Sequence, residues 1–190
     1  MNKLPPVIIV DIDDELRASF QQALRSNGQE VLTRSTDETG NVEGSVKLSL
    51  EHPSDLTFVE PVTNYLIKRV EQAWELPAGS CLDLSIALSE SLINAIKHGN
   101  MSDSSKLVRI TASVSGDEAR FTVEDEGPGF DLNKVPYPRD PENLLKSSGR
   151  GVLLIKNLVD DAQYNDRGNR ISLMKRRPGQ PDARDTELIS

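Results

Sequence analysis

The chain has 190 residues, with 22 lysines and arginines against 30 aspartates and glutamates, for a formal net charge of -8. That is room for one ordinary domain with an appendage, and a chain this long buries roughly 70% of its unfolded surface without a metal or disulfide staple. The acidic balance excludes a basic nucleic-acid surface, so no direct nucleic-acid partner is expected. No apolar run approaches the ~20 residues of a membrane span, and Met1 to Pro6 does not read as a secretory signal. Cys81 is the single cysteine, so no intrachain disulfide can form and a reducing cytoplasm is the expected compartment.

Val7 to Val10 is a short β-branched run that reads as a buried strand. Leu16, Phe20, Ala23 and Leu24 then recur at helical spacing, Asn27-Gly28 supplies a stop, and Val31-Leu32 starts a second strand. Thr33 to Ser45 is polar and reads as a linker. Val46, Leu48 and Leu50 alternate with polar residues, as in a half-buried strand.

Ser54 is the expected N-cap of a helix whose inner face is Leu56, Val59, Val62, Leu66, Val70 and Trp74. After a break at Pro77 to Gly79, a second helix runs from Ser80 to about Ile96. Its leucines and isoleucines go nearly all the way round, which predicts burial on most sides. Period-two runs at Val108 to Val114 and Ala119 to Val123, joined by Ser115-Gly116-Asp117-Glu118, predict a hairpin. Asp131 to Ser148 reads as a long loop, Gly149 to Val159 as a helix, and Ile171 to Lys175 as a closing strand. Arg176 onward has no period and reads as a disordered tail.

Three segments carry chemistry. In the second helix Glu90, Asn94 and His98 are spaced i, i+4, i+8 and form a polar stripe on an apolar helix. A buried carboxylate needs a partner or a task; satisfying a neighbouring loop is the plainer alternative. Asp125-Glu126-Gly127-Pro128-Gly129-Phe130-Asp131 follows a strand and lets backbone approach a ligand closely, although the same residues also make a simple turn. Ser147-Ser148-Gly149-Arg150-Gly151 opens a helix with bare N–H groups suited to an anion, or is only a flexible glycine entry. No G-x-x-x-x-G-K-[ST] is present. The G-x-G-x-x-G pattern fails at Leu132, and no zinc spacing exists.

In this order the three segments resemble the N, G1 and G2 boxes of the GHKL ATPase superfamily, and most closely its branch of anti-sigma-factor serine/threonine kinases. The similarity spans about residues 46 to 176 and includes Leu88-Ser89-Glu90, Asn94-Ala95, His98-Gly99 and the Pro53-Ser54-Asp55-Leu56 helix start. It implies a Bergerat α/β fold, an α+β two-layer sandwich with helices on one face of a mixed, mostly antiparallel sheet. It implies ATP and Mg²⁺ as ligands, with Asn94 on the metal through its amide oxygen. Asp125 would accept the adenine amino hydrogen, with Gly127 and Gly129 shaping the purine pocket. Gly149, Arg150 and Gly151 would hold phosphates under a lid of about Asp131 to Ser148. Glu90 would be the general base.

The implied activity is transfer of the ATP γ-phosphate to a serine or threonine of an anti-sigma-factor antagonist, with a sigma factor as a further partner and a homodimer as the family's assembly. Two other functions fit the same boxes: a nucleotide-dependent binding module without transfer, and a histidine-kinase catalytic domain acting in trans. No phosphoacceptor-histidine helix pair precedes the domain, and His98 is expected to position a helix end rather than accept phosphate. Residues 1 to 32 resemble the first strand and helix of a response-regulator receiver, with Asp13 and Asp14 as its acidic pair. The 45 residues before the ATPase strand are too few for a working receiver, so a truncated βα(β) appendage is expected.

Overall fold

The computed structural model describes residues 7–10, 31–34, 46–130 and 150–179. The expected helix after Val10, the linker, the lid and Gly149 lie outside the described residues. Seven strands form one sheet: β1 (Val7–Val10), β2 (Val31–Arg34), β3 (Val46–Pro53), β4 (Leu107–Val114), β5 (Glu118–Asp125), β6 (Asp161–Tyr164) and β7 (Arg170–Arg176). Their order is β2-β1-β3-β4-β5-β7-β6. Five of them, β3-β4-β5-β7-β6, pair antiparallel throughout. β1 joins antiparallel to β3 and carries β2 parallel at its outer edge.

The helices are α1 (Val59–Ala73), α2 (Leu82–Asn94) and α3 (Arg150–Leu158). They pack side by side, α2 between α1 and α3. The period-two sequence explains why one face of the sheet receives them. Val108, Ile110, Ala112 and Val114 on β4 and Ala119, Phe121 and Val123 on β5 are all buried. They meet Phe58, Val62, Leu66, Val70 and Trp74 from the α1 region, Leu84, Leu88 and Leu92 from α2, and Ile155 from α3 in one core. Each large side chain buried there stabilises the fold by roughly 1.5–3 kcal/mol. The opposite face is polar: Arg109 pairs with Glu51, and the Thr111 and Thr122 hydroxyls meet across β4 and β5.

Several local features depart from the sequence reading. Ser54 is not an N-cap. Asp55 caps a 3₁₀ turn, Leu56–Phe58, by accepting from Thr57 N at 2.9 Å, and α1 follows that turn. Leu56, expected on the inner face, is 43% exposed because the tighter turn rotates it outward. α2 begins at Leu82 rather than Ser80; most of its residues are buried or half-buried, as expected, with Leu82 exposed at its start. A π turn, Ala95–Gly99, replaces the last helical turn, and Asn100 N donates to Ala95 O at 2.8 Å. The extra residue breaks the i, i+4, i+8 stripe, so His98 is exposed and Asn100 is buried in its place.

β6 has no counterpart in the sequence reading, because Asp161-Ala162-Gln163-Tyr164 is a short edge strand without a strong alternation. Arg176 and Arg177, expected in the tail, are held by the fold: Arg176 ends β7. Arg177 N donates to Asp117 O (2.8 Å) and an Arg177 Nη2 hydrogen to Trp74 O (3.0 Å), tying the chain to the β4–β5 turn and the end of α1. Residues 180 to 190 lie outside the described residues.

Candidate functional site

The end of β5, the π turn after α2 and the loop between β6 and β7 converge on Asp125. This residue is 8% exposed. Its Oδ1 accepts the Gly127 N–H at 2.8 Å, which closes the turn on its own carboxylate. Burial pushes the Asp125 carboxyl above the usual carboxylate range, while the Gly127 N–H and the Arg167 charge pull it back down.

Two glycines explain the closeness of these parts. A Cβ on Gly99 would fall 2.5 Å from Asp125 Oδ1, so the π turn can press its backbone on the carboxylate only because Gly99 has no side chain. A Cβ on Gly127 would fall 2.5 Å from the Gly99 carbonyl carbon and 2.8 Å from Asp125 Oδ1. Gly129 has φ +79° and sits against Arg167, whose carbonyl carbon a Cβ would meet at 2.8 Å.

The β6–β7 loop holds this turn from the other side. Asn169 Nδ2 donates to Asp125 O (2.8 Å) and Asp125 N donates to Asn169 O (2.9 Å). Asn165 Oδ1 accepts from Asn169 N (3.1 Å) and Arg170 N (3.2 Å), which shapes the loop. Arg167 Nη2 donates to Gly127 O at 2.8 Å. Tyr164 stands edge-on to Phe130 with ring centroids 5.1 Å apart. Burial and then the Asp125 charge push its phenol up to about 12, so it stays protonated.

The second part of the site lies where α3 begins. Gly151 sits directly over α2: a Cβ there would fall 3.2 Å from Asn94 Nδ2 and 3.3 Å from Glu90 Oε2. Glu90 and Asn94 are half-buried. Among the described residues neither side chain carries a hydrogen bond. The structure therefore brings together Glu90, Asn94 and Gly151 in one cluster and Asp125, Gly127 and Gly129 in another, joined by the π turn. Gly149 and the Arg150 side chain lie outside what is described. The sequence reading gave no role to Gly99, Asn100, Tyr164, Arg167 or Asn169. Asn165-Asp166-Arg167-Gly168-Asn169 carries an ordinary turn signal that does not reveal what the turn faces.

Half-buried Glu90 and Asn94 thus lie beneath the glycine at the start of α3, and a buried Asp125 sits in a glycine turn beyond the π turn. Residues 53–175 match the histidine kinase-like ATPase domain model (HATPase_c_2), and the chain belongs to that family. The family implies ATP binding. The chain is similar to the serine-protein kinase RsbW of Oceanobacillus iheyensis, with 33% identity over 44% of this chain and 57% of that protein. It is similar to an anti-sigma F factor of Clostridium perfringens, with 36% identity over 50% of this chain and 71% of that protein. A crystal structure of the RsbU and RsbW domains of a Mycobacterium tuberculosis protein superposes with a TM-score of 0.46 and 18% identity, covering 68% of this chain and 31% of that one. The matched region thus spans little more than half the length of the first of these kinases. No helix among the described residues is long and apolar enough to cross a membrane.

Proposed function

We propose that this chain is an ATP-dependent protein serine/threonine kinase of the anti-sigma type. The acceptor would be a serine or threonine of an antagonist protein, with a sigma factor as the other partner. The relatives named serine-protein kinase and anti-sigma F factor support this class of activity and of partner. The observation that carries it is the placement of Gly151 at the α3 start against both Glu90 and Asn94. Backbone N–H groups at a helix start favour a polyphosphate, and they stand beside a carboxylate able to act on an incoming hydroxyl.

Asp125 would accept a hydrogen from the adenine amino group through the carboxylate oxygen that the Gly127 N–H leaves free. Gly127 and Gly129 let the turn close on the Gly99 and Arg167 backbone and so would shape the purine site, and Gly149, Arg150 and Gly151 would hold the phosphates. Glu90 would take the proton from the acceptor hydroxyl as its oxygen bonds to the γ-phosphorus and ADP leaves with the electrons of the broken P–O bond.

The family also implies Mg²⁺. Among the described residues no three His, Cys, Asp or Glu side chains gather into a protein cage. The Asn94 amide oxygen is a hard donor of the kind Mg²⁺ accepts alongside waters and phosphates, so the donor set fits. When bound, the ion would neutralise phosphate charge. Asn94 would hold it from α2, one helical turn beyond Glu90.

Glu90→Gln tests the role of the base. With γ-labelled ATP and a serine-bearing antagonist, transfer is expected to fall at least 100-fold while ATP affinity stays within about threefold. Unchanged transfer removes Glu90 as base. Acid-labile label on the acceptor would point to a histidine-kinase activity, and ATP binding without any transfer to a nucleotide-dependent binding module.

A further inference from the structure

Asn100 is fully buried, one residue beyond the π turn, and all of its amide hydrogen-bonding capacity that the structure records is spent on three different segments. Its Nδ2 donates to Ser54 Oγ (2.8 Å), where β3 ends, and to Leu107 O (2.8 Å), where β4 starts. Its Oδ1 accepts from Glu126 N (2.8 Å), the residue between Asp125 and Gly127. Two further bonds brace the same junction: Ser54 Oγ donates to Lys106 O (3.0 Å), and Glu126 Oε2 accepts from Leu107 N (2.8 Å).

An Asn buried to this extent costs free energy unless each polar atom is matched; here one match ties the exit of the π turn to the turn that carries Asp125, and two anchor the same side chain to the end of β3 and the start of β4. Gly99 lies against the Asp125 carboxylate next door. Asn100 supplies the side-chain hydrogen bond from the exit of the π turn to the turn that carries Asp125, beside the Gly99–Gly127 backbone contact. Asn94 and Glu90 lie on the helix that runs into the π turn, so the same bond lies between the two halves of the site.

We infer that Asn100 is a positioning residue that sets the base selectivity of the nucleotide site, by holding the Asp125 carboxylate in register with α2. The inference rests on the nucleotide reading of the pocket given above. Asn100 is fully buried and faces no solvent, so it acts through Asp125. A carboxylate held at the right place accepts from an adenine amine and is mismatched to the carbonyl that guanine carries at that position.

The test is titration of the full chain with ATP and with GTP, each with Mg²⁺, for wild type, Asn100→Asp and Ser54→Ala. Asn100→Asp keeps the shape but turns the two donors into an acceptor facing Leu107 O. The expected result is a tenfold or greater loss of ATP affinity with GTP affinity within twofold of wild type, so that the preference for ATP collapses. Ser54→Ala removes both bonds of the Ser54 hydroxyl, to Asn100 and to Lys106 O, and is expected to lower the ATP preference about threefold; it decides the matter if Asn100→Asp does not fold. Equal losses for both nucleotides, or no loss for either, overturn the inference. Wild-type protein that binds neither nucleotide overturns the reading of the pocket, and the inference with it.

Discussion

The two halves of the site are built differently. Around Asp125 the backbone is pressed together: Gly99, Gly127, Gly129 and Gly168 each lie where a Cβ would meet a neighbouring main chain or carboxylate, and the β6–β7 loop adds hydrogen bonds from Asn169 and Arg167. Around Glu90 and Asn94 the contacts are between side-chain ends and one glycine, and among the described residues neither side chain has a bonded partner. The first half is finished before any ligand arrives. The second leaves, among the described residues, two half-buried polar side chains without a bond, which under the proposed function a polyphosphate and its cation would meet. Under the proposed function this would join a preorganised selective end to an adaptable reactive end, a division that close-packed backbone permits and side chains alone do not.

Breaking the rigid half should cost the fold itself. Gly127→Ala drives a methyl group into the Gly99 carbonyl, and neither backbone can yield cheaply. A loss of about 3 kcal/mol or more is expected, read as a fall in Tm of roughly 6–12 °C. Gly116→Ala, with nothing within 4 Å of its Cβ, serves as the control and should change stability by no more than about 0.5 kcal/mol. Equal melting curves for the two variants would remove the distinction drawn here.

Acid should strike near the same end of the sheet. His52 is fully buried at the end of β3, stacked on Phe58, with Nδ1 bonded to Pro53 O at 2.7 Å. Its Nε2 has no partner among the described residues. Burial lowers its pKa from 6.5 to about 4, against the opposing pull of the Pro53 carbonyl and Asp55. The unfolded chain therefore binds the proton first. The contribution of a neutral His52 is fully present above pH 6.5 and is lost as pH falls toward 4, by about 3 kcal/mol in all. The buried Asp125 works in the opposite sense, its raised pKa favouring the fold below the unfolded carboxylate pKa and ceasing to do so as pH rises through the folded value. Denaturant titrations across this window should show a decline on acidification, which His52→Phe abolishes.

The adaptable half should tolerate change in stability and show it in binding. Gly151→Ala brings a methyl group 3.2–3.5 Å from the Asn94 and Glu90 side-chain ends, which can move aside. Tm is expected to stay within about 3 °C, helped by the helix preference for alanine, while calorimetric ATP affinity falls about tenfold because the phosphate space is filled. The smallest effect is expected of Arg167→Ala. Loss of its bonds to Gly127 O and Pro128 O loosens one side of the turn from an exposed position, for about a threefold loss of ATP affinity.

Much of the architecture was legible from periodicity. The alternation in Val108 to Val114 and Ala119 to Val123 maps onto buried positions of β4 and β5. Local signals misled where tertiary packing chose among close alternatives. Ser54 and Asp55 are both competent N-caps. Asp55 takes that role because Ser54 Oγ is already engaged by Lys106 O and Asn100. A helical stripe through Glu90, Asn94 and His98 assumes 3.6 residues per turn to its end, and the π turn inserts one residue too many for His98 to stay on it.

By itself the sequence determined the strand and helix periods, the acidic character of the surface and the order of the three glycine- and carboxylate-bearing segments, since these depend on residues a few positions apart. Only the tertiary structure decided that Gly99 lies on Asp125, that Asn100 joins Ser54 to Glu126, that Asn169 holds Asp125 from the far hairpin and that Gly151 rests on Asn94. Those contacts join residues 26 and 46 positions apart at Asn100, and 44 apart at Asn169. A glycine or an asparagine carries no local signal of the distant backbone it will meet; that pairing is set when the sheet register and helix packing bring the segments together.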